Sequence, residues 1–230
     1  MIRLKTDLHT HSSDDCVDRI TYSTEQLIDI VAGCGCQVLA VTGHGQLTFR
    51  RSACDYARER GVLLMPGVEL SIEGRHVVVL NPDERQASAR TFAELRSLGR
   101  RDAAIIAPHP FLPLPGTLGS KLIENIDLFD AVEHGALYFR RMNFNRKAVQ
   151  AARQYGLPLL GTSDCHLLPY LDSNFSWIEA EEATVAGVID AIRAGRISLV
   201  TRPAPLSYGI KTAAFHATLP FWYQIRKLRA

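Results

Sequence analysis

Short apolar runs alternate with amphipathic stretches along the whole chain. "QVLAVT" (37–42), "VLLMPGVEL" (62–70) and "HVVVL" (76–80) are apolar on both faces and rich in β-branched residues, which predicts buried strands. Further strands are predicted at 103–107, 129–133, 157–161, 175–178 and 197–200, and an opening strand ends at His9 and His11. Between them the apolar positions recur at helical spacing. The stretch 23–34 opens on Ser23 with Gln26 three residues later, a capping box. Leu27, Ile28, Ile30, Val31 and Cys34 then give it one apolar face. Helices are also predicted at 48–60, 89–98, 143–155 and 184–194. Alternating β and α elements with two-faced apolar strands belong to a parallel sheet covered by helices. Eight or nine strands suit a closed or nearly closed barrel better than an open sheet. The pattern breaks at Arg202-Pro203-Ala204-Pro205. The expectation is one domain over residues 1–202 and a C-terminal appendage over 203–230, packed on the barrel or on a partner subunit.

Composition changes this picture little. The 230 residues are 47% hydrophobic and 22% charged with a net charge of +2, which marks a globular chain and gives no bulk argument for nucleic-acid binding. No apolar run approaches transmembrane length, and Met1 leads into "IRLKTDLHTH" with no apolar leader. The five cysteines have no framework spacing, and Cys34-Gly-Cys36 lacks the second pair of a metal site. Reduced thiols in a cytoplasmic protein are expected. The tail "TLPFWYQIRKLRA" (218–230) mixes aromatic and basic residues. Packing on the barrel or another subunit is the preferred role for it, ahead of a membrane surface.

The histidines carry the chemistry. Of the eight, His9, His11, His44, His109, His134 and His166 follow or end predicted strands, His76 opens one, and His216 stands apart. Barrel enzymes build their sites where the loops after the strands converge. Positions i and i+2 of a strand face one side, roughly 6.6 Å apart. His9 and His11 can therefore aim at one point, and Asp164 and His166 repeat that spacing in "SDCH". Glu69 ends "LLMPGVE". Mixed imidazoles and carboxylates suit Zn, Mn or Fe, and there are too many for one four-coordinate ion.

"DLHTHSSDD", "AVTGHG", "PGVELSIEGRHVVVL", "APHPF" and "GTSDCH", in this order, resemble the motifs of the polymerase-and-histidinol-phosphatase (PHP) family of metal-dependent phosphoesterases. The resemblance covers about residues 4–202. It implies a distorted seven-stranded (β/α) barrel with two or three divalent ions (Zn, Mn or Fe) at the C-terminal face of the strands. Carried over residue by residue, it implies His9, His11, His44, Glu69, His76, His109, Asp164 and His166 as ligands. The family's acidic ligand five residues after the second histidine falls on Cys16; Asp15 is the nearest acid, with Asp14 and Asp18 as alternatives. The family's Thr-Asp-His followed by Asp or Asn is here Thr42-Gly43-His44-Gly45, which predicts a less firmly oriented His44.

The implied activity is phosphoester hydrolysis by a metal-bridged hydroxide, with His44 or His166 as the acid for the leaving group. No nucleophile elbow competes. His134, Arg140 and Arg141 are candidate substrate contacts. The substrate is expected to be a phosphorylated small molecule or nucleotide, with a nucleic-acid end as a further class; no membrane partner is expected, and an oligomer is compatible with the tail. The alternatives are a non-catalytic metal-binding PHP-like domain and a metal-dependent hydrolase of non-phosphate substrates.

Overall fold

A computed structural model describes residues 1–227, the side chains of 216 and 219–227 excepted. Its elements, in order, are β1 (Ile2–Thr10), α1 (Thr24–Gly33), β2 (Val38–Val41), α2 (Arg51–Arg58), β3 (Leu63–Ile72), β4 (Arg75–Leu80), α3 (Glu84–Ala87), α4 (Phe92–Leu98), β5 (Ala104–Ala107), α5 (Lys121–Glu124), β6 (Ala131–His134), α6 (Arg146–Tyr155), β7 (Leu159–Gly161), β8 (Asn174–Ala180), α7 (Val185–Arg193), β9 (Ile197–Thr201) and α8 (Leu206–Lys227). The Ser23/Gln26 capping box is present at the start of α1.

All nine strands form one sheet in the order β7-β6-β5-β4-β3-β2-β1-β8-β9. Pairing directions show seven strands running one way, with only β4 and β8 against them. That reconciles the implied seven-stranded barrel with the longer strand list. His76 opens β4, which is both the hairpin partner of β3 and the bridge to β5.

Strand alternation sorts the core into an inside and an outside. Leu4, Leu8, Val38, Met65, Val78, Leu80, Ile106, Ala131 and Leu160 meet across the barrel, and Val188, Ile189 and Ile192 of α7 join them. The intervening residues, such as Val68, Val79, Ile105 and Val132, face α4 and α6. On β1 the three steps from Asp7 to Thr10 oppose the two from Leu39 to Val41, so β1 carries one extra residue. Such a bulge re-aims side chains. It lets His9 and His11 continue the interior face of Leu4 and Leu8, while Asp7 turns away to accept from Ser163 N and Tyr170 Oη.

The ring closes in two ways. At one level Gly161 of β7 abuts β8 and β9: its N–H donates to Ser176 Oγ, and a Cβ there would lie 2.5 Å from Leu199 Cδ1. At the C-terminal face the segment after β7 reaches β1 directly. Asp164 N donates to His9 O (2.9 Å), His11 N donates to Cys165 O (3.3 Å), and Thr10 bridges Cys165.

After the Arg202–Pro205 break, α8 returns over this face. Ala204 N donates to Tyr138 O, and Gly209 lies against the Phe139 ring. Among the described residues no helix is long and apolar enough to cross a membrane. His216 and the tail's aromatic and basic side chains from Phe221 to Arg229 lie outside the described residues.

Candidate metal centre

Glu69 is the hub. It sits on β3 just past Pro66-Gly67, where β3 exchanges its parallel partner β2 for its antiparallel partner β4. The carboxylate is buried and meets five imidazoles. Its Oε1 is 2.8 Å from His76 Nδ1 and 3.3 Å from His109 Nε2; its Oε2 is 3.2 Å from His44 Nε2, 3.3 Å from His9 Nε2 and 3.4 Å from His11 Nε2. Asp164 Oδ1 lies 3.4 Å from His9 Nε2 and 3.3 Å from His11 Nε2.

Several of these approaches are not satisfied hydrogen bonds. The Nε2 atoms of His9 and His11 face each other at 3.2 Å. Asp164 Oδ1, His76 Nδ1 and His109 Nδ1 are buried with no hydrogen-bond partner. Unpaired buried polar atoms are costly unless something else satisfies them. Four groups have ligand atoms within 4.8 Å of one another: His9–His11–Asp164, His9–Glu69–His109, His44–Glu69–His76 and His11–His44–His166. Shared members and mixed N/O donors fit divalent ions.

Behind the imidazoles stand carboxylates that orient them. Glu133 Oε2 accepts from His9 Nδ1 at 2.7 Å. Asp15 Oδ2 accepts from His11 Nδ1 (3.1 Å), His44 Nδ1 (2.8 Å) and His44 N (3.0 Å). In each case Nδ1 carries the proton and Nε2 is left for the cluster. Asp15 thus lies behind the ring nitrogens rather than among the converging atoms, because its other oxygen caps the amides of Val17 and Asp18. Asp14 is turned to Thr24 and Arg50. Asp18 faces the cluster, with Oδ2 2.9 Å from His166 Nε2. His44, expected to be loosely held beside Gly43 and Gly45, is instead fixed by Asp15 through both its backbone and its ring. Asp15→Ala is expected to weaken metal binding by roughly 10–100-fold, as loss of a ligand-orienting group does, while Gly43→Asp changes it little; metal titration of both variants checks this.

His134 is the neighbour of Glu133 on β6 and therefore faces the other way. Its ring meets Tyr138 edge-on, and Nδ1 lies 3.4 Å from Thr201 Oγ1. Arg140 and Arg141 are exposed on the turn between Phe139 and Met142. None of these three is on the wall of the cavity above the cluster. That cavity measures about 440 Å³, and His44, Glu69, His76, His109, Asp164, His166 and Asp18 form its charged floor. Glu133, Asp15 and the wall residues Tyr208 and Thr212 of α8 did not emerge as site residues from the sequence in these roles. For Glu133 the available signal was a lone acid at an inward position of an otherwise apolar strand.

The electrostatics follow from burial and crowding. Burial opposes charge on Glu69, but His9, His44 and His76 outweigh it and hold the carboxyl well below its usual range. Burial likewise lowers His44, yet Glu69 and Asp15 lift it to about 9. His9, His109 and His166 are raised despite burial by Asp164, Glu69 and neighbouring carboxylates, whereas burial and His166 lower His11. Raised histidines stabilise the fold fully below their unfolded value of 6.5 and lose that contribution as pH climbs through the folded value. Depressed carboxyls contribute above their unfolded value and lose it as pH falls. Chelated protein is therefore expected to be most stable near pH 5–6.5 and to melt progressively lower toward pH 9. Metal competes with these protons, so added Zn or Mn should raise the melting temperature most at the alkaline end. Calorimetry with and without chelator checks both slopes.

Left-handed backbone at His109 (φ 26°) and Asp164 (φ 47°) adds local strain within the site.

A PHP-associated family model, PHP_C, matches residues 143–197. No curated protein matches the chain by sequence. Among solved structures, the chain is similar to a two-domain protein from Bacteroides vulgatus ATCC 8482 containing a predicted PHP-like metal-dependent phosphoesterase (17% identity, 87% of this chain and 65% of that one, TM-score 0.67). It is also similar to PsfC from Pseudomonas syringae PB-5123 (17% identity, 97% and 99% coverage, TM-score 0.64). A third likeness is to the lesion-specific endonuclease PfuEndoQ from Pyrococcus furiosus (16% identity, 86% and 58% coverage, TM-score 0.58). At these identities the likeness is one of fold, and the chain spans 65% of the first protein and 58% of the last.

Proposed function

We infer that this chain, a PHP family member by its barrel, its PHP-associated segment and its motif order, is a metal-dependent phosphoesterase. The observation that carries the reading is one buried carboxylate, Glu69, facing five imidazoles at the floor of a cavity.

His9, His11 and Asp164, with Glu69 shared between them and His44, His76 and His109, would hold two ions; His11, His44 and His166 would offer a remaining place, with Asp18 beside His166. Divalent ions there would supply Lewis acidity for a phosphoryl group and acidify a water. The chain's own residues do the rest. Glu133 and Asp15 fix the imidazoles with Nε2 inward. His44 and His166 count among the donors of that remaining place, so either serves as the leaving-group acid only while the place holds no ion; Asp18 Oδ2 then keeps a proton on His166 Nε2.

The test is a panel of phosphomonoesters and phosphodiesters against protein reconstituted with Zn, Mn or Fe, alongside elemental analysis. More than one ion per chain and turnover of at least one ester class are expected. Full metal loading with no turnover of any ester would point instead to the non-catalytic alternative.

A further inference from the structure

The charged floor is only part of the cavity wall. Its roof is apolar, built from Val17, Leu112, Leu114, Pro115, Ala136 and Leu137. No Lys or Arg is on the wall among the described residues.

The roof is also pre-formed. Pro110, Pro113 and Pro115 restrict the backbone of the segment 109–116. Gly119 N donates to Pro110 O, and Leu112 N donates to His109 O. Gly116 rests so closely on the His76 ring that a Cβ there would lie 2.4 Å from Nε2, and its carbonyl accepts from His76 N at 2.7 Å. The leucine-bearing loop is thereby pinned to the floor it covers. From the far side, α8 adds Tyr208 and Thr212, and the Phe215 ring lies 5.8 Å from that of His166. Asn145, the amide on the wall, is already committed to the N–H and C=O of Gly135.

This shape constrains what lies beyond the reacting phosphate. Beyond the floor, a second phosphate would rest mostly on leucine and proline, with no Lys or Arg among the described wall residues to meet it, a costly desolvation. Duplex nucleic acid is held by rows of Lys and Arg against its backbone, and none is on this wall among the described residues. A volume of about 440 Å³ is that of a small-molecule site.

We propose that the cavity selects single phosphoesters of small, largely apolar alcohols, with the phosphate on the histidine–carboxylate floor and the organic group under the Leu112–Pro115 roof. The proposal rests on the phosphoesterase reading. In the reaction a water oxygen becomes bonded to phosphorus, the ester P–O bond breaks, and the alcohol oxygen leaves with a proton; water is the only co-reactant.

The experiment compares benzyl phosphate with glycerol 3-phosphate on metal-reconstituted full-length protein, since their leaving alcohols are of similar basicity. ADP and a 5′-phosphorylated DNA duplex are the polyanionic arms. Calorimetric binding of benzylphosphonate against methylphosphonate supplies a readout independent of turnover. Benzyl phosphate is expected to exceed every other substrate at least tenfold in kcat/KM, and benzylphosphonate to bind at least tenfold tighter than methylphosphonate. Leu114→Asn and Leu137→Asn, at partly exposed wall positions, should each shrink both gaps severalfold. Glycerol 3-phosphate, ADP or duplex turned over as well as benzyl phosphate, or gaps unmoved in both variants, would overturn the apolar selection and leave the phosphoesterase reading standing. No turnover of any arm by fully loaded protein would overturn that reading and this proposal together.

Discussion

Glu69→Ala is expected to lower phosphoester turnover by roughly a thousandfold, the effect of removing several kcal/mol of metal-dependent stabilisation. Among the described residues no other side chain touches as many members of the cluster, and its loss also leaves five imidazoles facing one another without their shared anion. Metal content should fall together with activity. His11→Ala and Asp164→Ala remove single members of the groups and are expected to act in the same direction. Circular dichroism separates loss of the site from loss of the fold. A Glu69→Ala protein that keeps both its ions and its turnover would show that the carboxylate is a spectator.

The second large effect concerns the barrel wall. Gly161→Ala places a Cβ 2.7 Å from the Phe175 carbonyl oxygen and 2.5 Å from Leu199 Cδ1, so β7 or β8 must shift. Backbone gives way less readily than a flexible side chain. A cost of about 3 kcal/mol is expected, which is a fall of about 6–12 °C in Tm for a domain of this size. Metal affinity should weaken as well, because Asp164 and His166 follow β7 within five residues. Gly33→Ala is the control: it lies in α1 with open space around it, and alanine there should be neutral or slightly stabilising. Equal melting temperatures for Gly161→Ala and the parent would mean that the two strands have room to part.

Much of this architecture is legible in the chain because local and global preferences agree. The capping box at Ser23 and Gln26, the two-faced apolar strands and the histidines at their ends each point to the same barrel. What escaped was governed by direction. His134 stands out as a residue type, but alternation along β6 puts Glu133 inside and His134 outside. Three aspartates crowd the segment after His11, and which one faces the cluster depends on a turn in which Asp15 caps two amides. The single extra residue on β1 shifts the interior face from Leu4 and Leu8 to His9 and His11, something period-two counting does not reveal. The short α3 carries its own capping box at Asp83 and Gln86, a local signal too brief to stand out beside longer periodic stretches. The approach of α8 to the cavity depends on contacts from residues far away in sequence, such as Phe139 and Tyr138.

The direct link between the ends of β1 and β7 has a kinetic meaning. His9 and His11 are hydrogen-bonded through their backbones to Asp164 and Cys165, so two groups of ligand-bearing residues share one short latch. An ion held from both sides, as proposed, would be released only when that latch breathes. The residence time of such an ion is then expected to be bounded by a local opening rate rather than by the strength of any single coordinate bond. The amides of His11 and Asp164 are the reporters: their hydrogen exchange should slow on metal loading, and at saturating chelator the rate of metal loss should level off at their rate of opening.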